Sequence, residues 1–423
     1  METTSVKLWR RDFTLLICGQ IVSIFGNMVL SFTLPLYILD ISGSATLFGL
    51  VGGVPYISLI IVTPIGGILA DRLQKQRIMF WLDASTTVLI AAYMVMSGLI
   101  ASVVPLVIVK LLALNAIQGV YIPAVQTSVP ALVPLDKLTS GNAAVGVVNS
   151  LSAMAGMAIA GVLYGRYGLT PILVVSAICF AITAVMDLLI RIPFKKQSAT
   201  GTLAQIVKSD ISQSVRFATR EKPALAKGAV VFFFLVMLLT SVLWVGLPVL
   251  ITQYLYMGME FVGINQSVMM IGGLAGGVVA GVVGMRLTLS KALAVLAAGS
   301  LFIIPMGLVV LIYTQPVMAY AIITAAGVLV FFTMQMFQIA AITFIQTETP
   351  SALVGKVLTV IMVLPFLAQA LGQVIYGALF ERLVALPWSI FFVTALLSAA
   401  IAMFSRGLFE RVKKDHNIRN RNL

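Results

Sequence analysis

Charge, histidine and cysteine are all scarce in this chain. Only 10% of its 423 residues are charged, against about 25% in soluble domains, while 60% are apolar and the mean hydropathy is +1.08. A water-soluble fold is excluded. The one histidine, His416, and two cysteines, Cys18 and Cys179, both inside apolar runs, exclude a His/Cys metal site and argue against a disulfide framework. No Gly-x-x-x-x-Gly-Lys-Ser/Thr loop is present, and no soluble stretch is long enough to hold a nucleotide domain, which disfavours a primary pump. Rings of like charge that would serve a channel are missing. No acid–base constellation lies at membrane depth, so an enzyme is not expected, nor any cofactor.

What the chain does have is apolar runs of spanning length. They fall at 13–39, 46–70, 77–99, 104–126, 142–165, 170–190, 228–255, 261–285, 291–313, 317–343, 357–380 and 386–405. The first run is too long, and too interrupted by Gln20, Ser23 and Asn27, for a signal-peptide core, so it is expected to remain as a membrane helix. With the N-terminus inside, inner segments hold 24 of the 27 Lys and Arg, eight of them between Arg191 and Lys227 and six from Arg406 onward. The positive-inside rule therefore puts both termini in the cytoplasm, and it absorbs the formal charge of +13 without a nucleic-acid partner. The organisation expected is an all-α membrane protein: a six-helix half (1–190), an amphipathic cytoplasmic linker (191–227) able to lie on the membrane surface, a second six-helix half (228–405) and a basic tail (406–423).

Two internal repeats support that division. QTSVPALV at 126–133 and QTETPSALV at 346–354 stand at the same end of the fourth helix of each half, and Gly49, Gly67 and Arg72 align with Gly263, Gly281 and Arg286 at one offset. Such repeats suit two pseudo-symmetric halves of parallel topology. Between the second and third helices stands GILADRLQKQR, residues 67–77, which resembles the Gly-x-x-x-Asp-Arg signature of the major facilitator superfamily, with Gln74 where the family has glycine. The resemblance implies a cytoplasmic gate latch built from Gly67, Asp71, Arg72, Lys75 and Arg77. In it Gly67 would allow close helix packing, and Asp71 would accept from amides or basic groups of a neighbouring helix.

Further along, YIPAVQTSVPALVPLDKLTSGN (121–142), FIQTETPSALVGKV (344–357), SGSAT (42–46) and RIMFWLD (77–83) are similar to the macrolide-efflux branch of that superfamily. Two positions depart from its drug antiporters: neutral Asn115 stands near the place of an arginine before Gln118-Gly119, and Met157 replaces proline in GMAIAG (156–161). The first puts a proton relay through that arginine in doubt. The second leaves Gly156 and Gly161 for close helix contact.

On the first helix Gln20, Ser23, Asn27 and Ser31 fall in one stripe about 80° wide. Facing lipid it would be costly, so it either lines a cavity or joins helices. The tenth helix repeats the device with Gln335, Gln338 and Gln346; the fifth carries Asn142 and Asn149, and the eleventh Gln369 and Gln373. The resemblance adds Asn115, Gln118, Thr240, Ser241 and Trp244 as cavity candidates. Charges inside the spans are few: Asp83, Lys110, Asp187 and Glu348, each a possible coupling charge because burial of an unpaired charge is expensive. Asp187 and Arg191 have the spacing of an i, i+4 pair, Lys110 can snorkel outward or meet an anionic substrate, and Asp40 would sit at an outer gate or in water.

These readings, with the resemblance, lead to an expected activity. It is secondary export of amphiphilic, drug- or macrolide-type molecules across the cell membrane, coupled to protons and worked by alternating access in a monomer. A lipid or lysophospholipid translocator of the same fold is the alternative.

Overall fold

The computed structural model describes residues 9–99, 103–134, 137–193, 203–312 and 315–421. Among these, twelve helices are long and apolar enough to cross a membrane: α1 (Arg11–Ser42), α2 (Ala45–Ala70), α3 (Lys75–Ser97), α4 (Val103–Leu132), α5 (Ser140–Tyr167), α6 (Leu169–Leu189), α7 (Pro223–Tyr254), α8 (Met259–Val283), α9 (Leu289–Ile312), α10 (Pro316–Glu348), α11 (Leu353–Arg382) and α12 (Pro387–Gly407). Local chemistry sets the ends. Helix α10 runs past its apolar stretch to Glu348 and stops where Thr349 turns extended, as a residue before proline must. Gly168 joins α5 to α6 at a φ of +75°, a conformation that needs glycine. Gln74 stands at the start of α3 with a φ of −66°, so the glycine it replaces is not required by this backbone.

The chain separates into two compact units. Unit 1 takes the described residues of Met1–Ile41, Val54–Ala204 and Met259–Ser267; unit 2 takes those of Ser42–Gly53, Gln205–Gly258 and Val268–Leu423. The opening turns of α2 thus belong with unit 2, and those of α8 with unit 1. The connector forms an amphipathic helix, Leu203–Arg216, and then a wider turn whose Phe217 is buried with Leu225, Ile345, Val357 and Ile361 of unit 2.

Within each unit helices meet where a side chain is missing. In unit 1, α2 packs on α4 and α3 on α6. A Cβ added to Gly66 would come within 2.2 Å of Gly119 O, and one on Gly156 would meet Met28 of α1 at 2.8 Å. In unit 2, Gly272 and Gly276 of α8 approach the backbone of Val328 and Phe332 on α10, and Gly372 of α11 abuts Ser241 of α7. The repeated pair found in the sequence marks two further crossings: Gly49 lies against Gln373 and Gly377 of α11, and Gly263 against Met157 and Gly161 of α5. Gly67, expected to be the close-packing glycine of its motif, has open space where a Cβ would stand; its neighbour Gly66 holds the crossing.

Gly66→Ala is therefore expected to lower stability by about 1–3 kcal/mol through overpacking. Gly67→Ala should leave stability unchanged or raise it by up to about 1 kcal/mol, through the gain in helix propensity. Thermal unfolding of the detergent-solubilised variants checks the difference.

Candidate functional site

In unit 1 the polar stripe of α1 faces protein. Gln20, Ser23 and Asn27 are buried; Gln20 Nε2 donates to Tyr121 Oη of α4 at 2.9 Å, and Ser31 Oγ donates to Asn27 Oδ1 at 2.8 Å. Asn115 spends its amide on its own helix, donating to Leu111 O at 3.0 Å. Gln118 is half-buried, while Asn142 and Asn149 of α5 are exposed. The stripe thus makes contacts between helices within this unit.

The charges of unit 1 depart from two expectations. Asp187 forms no pair with Arg191, because α6 ends at Leu189 and Ile190 is extended. The spacing of four residues then no longer brings the side chains together, and Arg191 instead donates its backbone N–H to Asp12 Oδ1 at 3.1 Å. Lys110 does not snorkel into water. It is 2% exposed, and its Nζ lies 4.1 Å from the centre of the Tyr93 ring with no hydrogen-bond partner, so a cation–π contact is what holds it. Asp83 is also buried. Asp40, at the far end of α1, accepts from Tyr164 Oη at 2.7 Å.

Unit 2 contains a pocket that gathers three of the polar candidates. Thr240 of α7, Gln338 of α10 and Gln369 of α11 line it together with Phe232, Met334, Phe337 and Pro365, around about 450 Å³ of space between atoms that includes its opening to solvent. A second pocket of about 360 Å³, lined by Leu225, Leu293, Phe344, Ile345 and Phe409 among others, shares Phe232 and Phe337 with the first. Those two rings stand 5.8 Å apart. The sequence singled out Thr240, Gln338 and Gln369 but none of the aromatic residues, because Phe on an apolar helix carries no periodic signal. Gln335 and Trp244 are half-buried. Trp244 lies in a widened turn of α7, Val242–Gly246, just before Pro248, which has no N–H to return to the Trp244 carbonyl. Gln373 is buried against the opening turns of α2, so the two amides of α11 have different surroundings.

At the motif between α2 and α3, the side chain of Asp71 lies outside the described residues. Arg72 has a buried Nη2 without a partner; Lys75 is half-buried and Arg77 exposed. Glu348 is paired with Lys222 at 2.9 Å, tying the end of α10 to the start of α7. Both are well exposed, so the pair contributes no more than about 1 kcal/mol. One acidic residue escaped the sequence reading. Glu381 Oε2 accepts from Ser44 Oγ at 2.5 Å and from the Thr46 N–H at 2.7 Å, so α11 supplies the carboxylate that caps the free N–H groups at the start of α2.

Comparison with known proteins adds three findings. The model of the Major Facilitator Superfamily matches residues 16–373. The chain is 24% identical over 191 residues to macrolide efflux protein A of Streptococcus pyogenes, a match covering 44% of this chain and 46% of that one, so it spans about half the length of that relative. Among solved structures, a variant of the nucleoside transporter NupG superposes with a TM-score of 0.74 at 15% identity, over 94% of this chain and 99% of that one. A bacterial homologue of the human lysosomal transporter Spinster gives 0.68 at 14%, over 94% and 97%. These structures establish a shared fold.

Lys110→Met is expected to keep the thermal midpoint or raise it, since it removes a buried ammonium without a hydrogen-bond partner and keeps an apolar stem against Tyr93. Tyr93→Ala takes away the ring that faces that charge and leaves a cavity, so it should cost about 3–5 kcal/mol. Thermal unfolding of both variants decides.

Proposed function

The chain belongs to the Major Facilitator Superfamily, and on that premise we propose that this transporter is a proton-driven secondary exporter of amphiphilic small molecules, of the drug or macrolide kind. The observation that carries the reading is the pair of neighbouring pockets in unit 2, which share two phenylalanines of their lining. One presents a threonine and two glutamines, and the other is apolar and aromatic, with Phe232 and Phe337 common to both. An amphiphile can lay its apolar body along the Phe-rich part and exchange hydrogen bonds with Gln338 and Gln369, whose amides both donate and accept. No carboxylate lines either pocket, which favours bulky and near-neutral compounds over strongly cationic ones. The partial likeness to macrolide efflux protein A supports the outward direction. A chain without a nucleotide-binding loop must draw its work from a gradient, and protons are the coupling ion proposed.

The remaining parts of the reading follow from the chain itself. The basic connector and tail support a cytoplasmic position for both termini. The matching helix pairs, α2 with α4 and α8 with α10, support two pseudo-symmetric halves working by alternating access, with Gly67, Asp71, Arg72, Lys75 and Arg77 as a cytoplasmic latch. The buried α1 stripe, with Asn115, Gln118, Asn149, Gln335 and Trp244, remains proposed as cavity-facing in some stage of the cycle. Translocation of a lipid or lysophospholipid is a second reading, favoured by the acyl-like lining of the apolar pocket.

Acridine-orange dequenching in energised everted vesicles tests the proposal. Macrolides or neutral amphiphiles should dequench the dye, and Gln338→Leu with Gln369→Leu should weaken the response at least about tenfold, the worth of one lost hydrogen bond. Asp71→Asn should abolish it while ligand binding persists. Silence across the panel with folded protein, together with altered headgroup distribution between leaflets, would replace export by lipid translocation.

A further inference from the structure

Two carboxyl groups of unit 1 line neither of the pockets described above and form no ion pair among the described residues. Asp83 of α3 and Asp187 of α6 are each 1% exposed, and on each the Oδ2 atom has no hydrogen-bond partner. The two acids stand on α3 and α6, which pack together along the unit. Thr183 of α6, one turn before Asp187, stands beside Asp83 and donates to Phe180 O at 3.0 Å. Tyr121 of α4 is buried in one core with Met79 and Leu82 of α3 and with Ile190, and its hydroxyl accepts from Gln20 Nε2 at 2.9 Å, which leaves its own hydrogen to be donated.

No cation balances this cluster. Among the described residues no Lys or Arg pairs with either acid. Arg72 closes α2, Lys75 and Arg77 open α3, and Lys110 is engaged with Tyr93, which is ten residues, or about 15 Å of helix rise, beyond Asp83. Two adjacent carboxylates cannot both stay ionised in a dry helical interior without a counter-charge. The smallest species that removes the conflict is a proton, which needs only one oxygen of one acid and a lone pair of a neighbour. A metal cation would demand several oxygens at once, and the lone acceptors here are too few.

We propose that Asp83 and Asp187 together form an exchangeable proton site in the N-terminal unit, the pair holding one proton between them that passes to and from water during the transport cycle. A hydronium ion gives its proton to a free Oδ2 and leaves water; release reverses the step, with Tyr121 donating to the carboxylate that forms. The use of this proton rests on the exporter reading above, whereas its existence does not.

The test is an infrared titration of the purified full-length protein in lipid nanodiscs, following the carbonyl band of protonated carboxyl groups as pH rises. The wild-type protein should show a band that disappears in two steps, the signature of a coupled pair. Asp83→Asn and Asp187→Asn should each leave a single step, at least about one pH unit below the upper step of the pair. Tyr121→Phe, which keeps both acids and removes only the hydroxyl proposed to donate to them, should move the upper step to higher pH. A titration that is the same in the wild type and all three variants, or the absence of a protonated-carboxyl band throughout, overturns the proposal. Dye dequenching on the same variants separates the two readings. A two-step band in a protein that moves no compound in the panel keeps the proton site and removes the exporter, and dequenching without any such band does the reverse.

Discussion

Contact between helices at glycine, with almost nothing but backbone between the two chains, is the constraint on which each unit depends. Lipid supplies no hydrophobic force to bring apolar helices together, so association must come from close van der Waals packing and from hydrogen bonds between helices. Gly66 against Gly119, and Gly272 and Gly276 against Val328 and Phe332, provide the first. Gln20 with Tyr121 provides the second. Because such crossings occur in both units, the same economy builds each of them. It also explains why a repeat as thin as Gly49 and Gly263 survives in the sequence: each is a place where another helix leaves no room for a side chain.

The parts of this molecule that hydropathy controls were legible. Twelve runs of apolar residues became twelve helices, with ends shifted by a few residues where Pro350 or Gly168 dictated the stop. Side-chain environment was less legible, for reasons that differ from residue to residue. Gly67 and Gly66 are adjacent, and only the azimuth of α2 against α4 selects between them. The Asp187 to Arg191 spacing predicts a pair only if the helix continues, and it ends two residues short. Lys110 has the stem to reach water, but a tyrosine ten residues past Asp83 on the neighbouring helix holds it inside. Thr240, Gln338 and Gln369 were found because a polar residue on an apolar helix stands out, whereas Phe232 and Phe337, equally part of the pocket, are invisible among twenty-three phenylalanines.

The two units use their few polar groups differently. In unit 2 the amides of Gln338 and Gln369 border open space, and the carboxylates are kept at helix ends, where Glu348 meets Lys222 and Glu381 caps α2. There charge is cheap, because water or a backbone dipole answers it. In unit 1 the relation is inverted: the amide of Gln20 is buried and satisfied, while Asp83, Asp187 and Lys110 sit inside without a conventional partner. Buried charge of that kind contributes nothing to stability, so packing alone does not account for it.

If the pocket of unit 2 takes the substrate, as proposed, its lack of carboxylates has a consequence for selectivity. Attraction by a fixed negative charge would favour cations over a long range and bind them whatever their shape. Two glutamines and a threonine act only at hydrogen-bond distance, and they accept donors and acceptors alike. Discrimination then falls to the apolar part of the ligand, where each buried methylene is worth about 0.8 kcal/mol and aromatic rings tolerate many outlines. A site built this way recognises a class of amphiphiles and not a single compound. It can also release them, because no ion pair has to be broken and rehydrated when the ligand leaves. On the proposed reading, keeping acids out of the pocket and inside the other unit would let one chain bind near-neutral cargo and still hold groups that a proton can charge and discharge.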